Sequence, residues 1–112
     1  MTRQMHLAVF AQGVGVGQSV WRSRRTDPAN MHTLDHWAAV ARSAERGCFD
    51  AFFVADALNL SPAIAADATD RPDPIAVLAA LSAVTEKIGL IGTSSTTYND
   101  PFTVASSPLS TI

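Results

Sequence analysis

The chain's 112 residues are enough for one small domain with a hydrophobic core. It is 47% hydrophobic and 16% charged, below the roughly 25% charged of a typical soluble domain, and a net charge of -2 leaves no basic stripe for nucleic acid. The sole cysteine, Cys48, excludes an intrachain disulfide or cysteine-rich metal site, and with no signal-peptide core or long apolar run the chain is expected to be soluble, cytoplasmic and without a membrane partner.

His6 to Gln12 is a short, nearly continuous apolar run, the pattern of a strand buried on both faces. Gly13-Val-Gly-Val-Gly17 follows directly, but no helix pattern starts there and no acidic residue closes a second strand about 20 residues later. It is read as a mobile loop rather than a dinucleotide fingerprint. Arg22, Arg24 and Arg25 form the only basic cluster and read as a solvated loop. Met31 to Gly47 is predicted to be a helix, because Met31, Leu34, Trp37, Ala38, Ala41 and Ala44 share one stripe. Asn30 or Thr33 would cap its start, and Gly47 suits a left-handed C-terminal cap. Trp37 is then a core residue and Cys48 a buried thiol. His32 and His36 lie one turn apart, but no third ligand accompanies them and no metal site is expected.

Phe49 to Ala55 is the second predicted strand, ending at Asp56, and 57–72 reads as a loop without sustained periodicity. Asp73-Pro74 opens a second helix, predicted over 74–86, with Asp as cap and Pro at the first helical position. Ile75, Leu78, Leu81 and Val84 form its apolar row. The third strand runs from Ile88 to about Ser95. The order β-α-β-α-β, with such apolar strands, predicts an α/β fold with a parallel sheet and right-handed crossovers.

In a parallel sheet all strand C-termini share one rim, where such folds bind ligands. Here the rim gathers Gln12, Asp56 and the hydroxyl run Ser94-Ser-Thr-Thr97, which precedes Tyr98-Asn-Asp-Pro101. Small hydroxyl residues let a strand end approach a flat polar ligand and still offer hydrogen bonds. Asp56 has two readings, an ion pair or turn cap on one side and an acceptor for a ligand N–H or hydroxyl on the other.

Val20-Trp-Arg22, Ala44-Glu-Arg-Gly-Cys-Phe-Asp50, Phe53-Val-Ala-Asp-Ala-Leu58, Ala83-Val-Thr-Glu-Lys-Ile-Gly-Leu90 and Ser95-Thr-Thr-Tyr-Asn-Asp-Pro-Phe102 make the chain resemble the N-terminal part of the bacterial luciferase-like flavin monooxygenases. The nearest branch contains the nitrilotriacetate, EDTA and dibenzothiophene-sulfone enzymes, and the resemblance covers about residues 5–105. It implies the N-terminal βαβαβ segment of a TIM barrel, one partial domain over 1–112, truncated after about three of eight βα units. It also implies reduced FMN from a partner flavin reductase, O₂, and a small organic substrate. Carried over by position, Asp56, Ser95 and Thr96 would be cofactor-binding, while no catalytic residue is assigned. Two departures stand out. Gly13-Val-Gly15 occupies a first strand end where relatives often carry His, and Ser106-Ser-Pro-Leu-Ser-Thr-Ile112 replaces the family's Arg-containing continuation. The expected species is therefore a truncated monooxygenase segment prone to self-association through uncovered surface. The alternative is a small non-catalytic α/β module that acts only by protein binding.

Overall fold

A computed structural model describes residues 3–13, 22–56 and 72–106. Strands β1 (Ala8–Ala11), β2 (Ala51–Val54) and β3 (Gly89–Gly92) form one parallel sheet in the order β1-β2-β3. The register aligns Phe10 with Phe53 and Phe53 with Ile91. Each strand is shorter than its apolar run. The third ends at Gly92, so Thr93, Ser94 and Ser95 lie beyond the ladder instead of within it.

The helix expected over 31–47 is two pieces. A 3-10 helix at Pro28–His32 is capped by Asp27, whose carboxylate accepts from the Ala29 N–H at 3.0 Å. Thr33 then adopts extended backbone and caps α1 (Leu34–Arg46), its hydroxyl accepting from the His36 N–H at 3.4 Å. Of the two candidate caps, Thr33 fills the role and Asn30 sits inside the 3-10 turn. Trp37, Ala38, Ala41 and Ala44 are buried along α1, whereas Leu34, in its first turn, is 47% exposed and leaves the stripe.

Gly47 is not the left-handed residue: its φ is -75°, and the positive φ of 59° belongs to Cys48. The reversal comes one residue later because the Cys48 and Phe49 N–H groups still reach back to the Glu45 and Ala44 carbonyls, at 3.0 and 3.2 Å. It leaves the Cys48 thiol exposed rather than buried.

Helix α2 (Pro74–Ser82) starts as expected, with Asp73 accepting from the Ala76 N–H at 2.9 Å and Pro74 in the first turn. It stops short of 86 because the next amides find other partners. The Thr85 N–H and hydroxyl both donate to the Leu81 carbonyl. The Glu86, Lys87 and Ile88 N–H groups converge on one Glu45 carboxylate oxygen at 2.8, 2.5 and 3.1 Å. Those hydrogen bonds, the Lys87 N–H foremost, hold the Glu45 carboxyl below the ordinary glutamate range. Asp50 acts similarly at the start of β2, accepting from the Leu7 N–H at 2.8 Å and contacting His6 Nδ1 at 3.1 Å, and its pKa is lowered by the Leu7 amide first and His6 second. Two acidic residues of the Ala44–Asp50 motif thus fasten the N-terminal end of the sheet, opposite the C-terminal strand ends. A further short helix, α3 (Pro101–Ala105), is capped by Asp100. The sequence carries the same Asp-Pro signal there as at Asp73-Pro74.

Helices α1 and α2 pack together, and α2 also packs on β3, around a core of Trp37, Ala41, Phe52, Val54, Leu78, Leu81 and Ile88. Phe52, Leu78 and Leu81 are fully buried, each contributing about 1.5–3 kcal/mol by leaving water. Alternation along the strands sends Val9, Ala11, Phe52, Val54 and Leu90 to this helical side. The opposite face presents Phe10, Phe53 and Ile91 in one registered row, with Phe10 and Phe53 ring centroids 5.0 Å apart and Phe10 and Ile91 nearly half exposed. No described residue covers this row's exposed surface. Among the described residues, no helix is long and apolar enough to cross a membrane.

Candidate functional site

The ends of β2 and β3 open into a hollow of about 250 Å³ lined by Asp56, Thr93, Ser94, Ser95 and Tyr98. Register explains the meeting. Val54 pairs with Gly92, so the first residues past each strand end emerge side by side. The Thr93 N–H reaches the Val54 carbonyl at 3.4 Å, extending the ladder by one step. The Thr93 hydroxyl then accepts the Asp56 N–H at 2.8 Å, and this bond fixes where the carboxylate stands.

Asp56 and Ser95 therefore share one rim and one hollow. Thr96 lies in the exposed turn that follows and does not line it. Gln12 stands half-buried at the neighbouring end of β1. Thr93 and Tyr98 were not singled out as site residues from the sequence, although both lie within the hydroxyl-and-aromatic run. The signal for Thr93 was its place immediately after the strand, which becomes readable only with the register in hand. Tyr98 is 78% exposed and forms an aromatic wall of the hollow. Behind it the Asn99 side-chain amide donates to the Ser95 carbonyl at 2.9 Å and tightens the turn.

Chemically, the described lining offers one carboxylate, three aliphatic hydroxyls that both donate and accept, and the phenol ring of Tyr98. That set suits the edge and face of a flat heteroaromatic ligand bearing N–H and carbonyl groups. The hollow's lining contains, among the described residues, no cation for a phosphate. Among the described residues no group of three or more metal-ligating side chains comes together. The basic cluster Arg22, Arg24 and Arg25 is exposed, and the Gly-rich segment beyond Gly13 and the loop 57–71 lie outside the described residues.

Comparison with known proteins gives this geometry a context. The pattern of the luciferase-like monooxygenase family matches residues 5–108. The chain is 38% identical over 103 residues to the N-acetyl-S-(2-succino)cysteine monooxygenase of Bacillus subtilis (strain 168), a match spanning 92% of this chain and 23% of that protein. It is 36% identical to nitrilotriacetate monooxygenase component A of Aminobacter aminovorans, over 92% of this chain and 25% of that protein. Among solved structures, EDTA monooxygenase from Chelativorans sp. BNC1 superposes with a TM-score of 0.82 at 34% identity, covering 92% of this chain and 24% of that one. A riboflavin lyase crystallised with modified FMN and riboflavin gives 0.78 at 32% identity, covering 92% and 26%. The chain thus spans about a quarter of the length of the relatives it matches. A match over nearly its whole length, together with the parallel sheet and helices expected of the first strands of such a barrel, shows that the chain belongs to the luciferase-like monooxygenase family.

Proposed function

We propose that residues 1–112 are one partial barrel domain, the first sector of a flavin-dependent monooxygenase. In this reading the rim of Asp56, Ser94 and Ser95 meets the ring system of FMN. The observation that carries it is the convergence of one carboxylate and three hydroxyls beside Tyr98 at adjacent parallel strand ends. Asp56 would accept from a ring N–H, and Ser94 and Ser95 would meet ring carbonyls. Thr96, outside the hollow, would act only if its turn closed onto the ligand. Bound reduced flavin supplies the activation of O₂ for oxygenating a small organic substrate. The residues of this chain hold and orient the ring and exclude water from one side. The component-A name of one relative supports delivery of reduced flavin by a separate reductase.

The described lining of the hollow fits the ring but offers the phosphate no cation. Losing those charge-assisted hydrogen bonds leaves FMN binding to this chain no tighter than roughly millimolar, with no oxygenation by the chain alone. The uncovered row of Phe10, Phe53 and Ile91 adds a tendency to self-associate. The second reading, a non-catalytic module working through that same apolar face, rests on this row alone.

Titration with FMN, followed through the backbone amide signals of Asp56 and Ser95, separates the two. Shifts confined to the rim and saturating in the millimolar range are expected. Spectra unmoved by FMN, or shifts on the Phe10–Ile91 face only, would remove the flavin reading. Micromolar binding, or product in a reductase-coupled assay, would refute the expectation of weak binding by this chain.

A further inference from the structure

The end of β1 is held by contacts that neither the sheet nor the hollow requires. Gly13 has φ +35°, and the space where a Cβ would stand is filled by the Sδ and Cγ of Met31. Met31 is itself buried, and its carbonyl accepts the Trp37 indole N–H at 2.8 Å. Next to Trp37 on α1, His36 brings Nε2 to 3.1 Å from the Gly13 carbonyl in a partly buried contact. A carbonyl only accepts, so Nε2 carries the proton. The first turn of α1 therefore grips the strand exit twice, once through His36 and once through Trp37 and Met31.

Register gives this grip its meaning. The last β1–β2 pair is Ala11 with Val54, so Gly13 and Asp56 each lie two residues past the end of the ladder. Strand pairing has ended at that level. On one side the Thr93 hydroxyl holds Asp56 in place, and on the other His36 holds Gly13. Without these two clips the last paired residues would be Ala11, Val54 and Gly92, two residues short of Gly13 and Asp56.

We propose that His36 is a positioning residue for the rim: by holding the Gly13 carbonyl it fixes the end of β1, and with it Gln12, against the site formed by Asp56 and Ser95. The proposal rests on the flavin reading for its ligand but not for its geometry. Its chemistry asks only for an N–H donor at Nε2, which both the Nε2–H tautomer and the imidazolium provide.

The test compares wild type, His36→Leu and His36→Gln in the full chain. The first readout, without ligand, is the Nε2–H signal of His36 and the amide signals of Gln12 and Gly13. The second is the FMN titration followed at Asp56 and Ser95. Leucine is expected to shift Gln12 and Gly13 and to weaken FMN about fivefold, the scale of one lost neutral hydrogen bond. Glutamine, which restores an N–H, should return the titration to within about twofold of wild type. A leucine variant that binds like wild type, or a glutamine variant no better than leucine, overturns the proposal. If wild type shows no FMN response, the flavin reading fails, and the ligand-free spectra decide the clasp. Shifts at Gln12 and Gly13 that glutamine reverses support it, and unchanged shifts overturn it.

Discussion

Thr93→Val tests how the rim is held together. The substitution keeps the shape of the side chain and removes the hydroxyl that accepts the Asp56 N–H at 2.8 Å, leaving the Thr93 N–H to Val54 carbonyl bond intact. A neutral hydrogen bond contributes about 0.5–1.5 kcal/mol net. Thr93 is exposed and Asp56 half-buried, so water can partly replace the lost acceptor. The expected destabilisation therefore lies near the lower end, about 0.5–1 kcal/mol. With a urea slope of about 1–1.5 kcal/mol/M for so short a chain, the unfolding midpoint should fall by about 0.3–1 M at constant slope. The effect on the rim should be larger than the effect on stability. Asp56 loses the backbone anchor that Thr93 gives it past the ladder, and FMN-dependent shifts at Asp56 should weaken more than those at Ser95. Thr93→Ser keeps the hydroxyl and should behave as wild type in both measurements. A valine variant with an unmoved midpoint and an unmoved FMN titration would refute the reasoning, as would a serine variant that fails equally.

Phe52→Ala, which empties a fully buried site in the core shared with Leu78 and Leu81, should cost about 3–5 kcal/mol and leave the chain unfolded by circular dichroism. Glu45→Ala removes the shared acceptor for three backbone amides, so it should lower the melting temperature and speed hydrogen exchange at 86–88. Both Glu45 and Asp50 have carboxyl pKa values lowered in the fold. Their contribution is then complete above the unfolded value of about 4 and lost as pH falls through the lower folded values, so wild-type stability should drop below about pH 4 and Glu45→Ala should show a shallower drop. Phe10→Ser with Ile91→Ser makes the uncovered sheet face polar and should reduce self-association in sedimentation without disturbing the helical signal.

Much of the architecture was legible because local chemistry and tertiary packing agree. Continuous apolar runs gave three strands, and Asp73-Pro74 gave the start of α2, since a carboxylate cap and a proline suit only that end of a helix. Helix ends were less legible where a distant partner decided them. The last turn expected of α2 yields to Glu45, which lies 41 residues earlier than Glu86 and collects the amides of 86–88. Likewise, the left-handed position fell on Cys48 rather than on glycine, because two backbone bonds to α1 fixed where the chain turns.

The same division runs through the site. Sequence alone determined which residue types end the strands, and so placed Asp56 and Ser95 on one rim, because parallel strands must send their C-termini the same way. Tertiary structure alone decided which of those residues meet. A strand pairing of Val54 with Gly92 puts Thr93 beside Asp56 and leaves Thr96 out in the turn, and a shift of one residue would have brought Gly92 or Ser94 there in place of Thr93. Register is set by packing across the whole sheet, and no local run of residues encodes it.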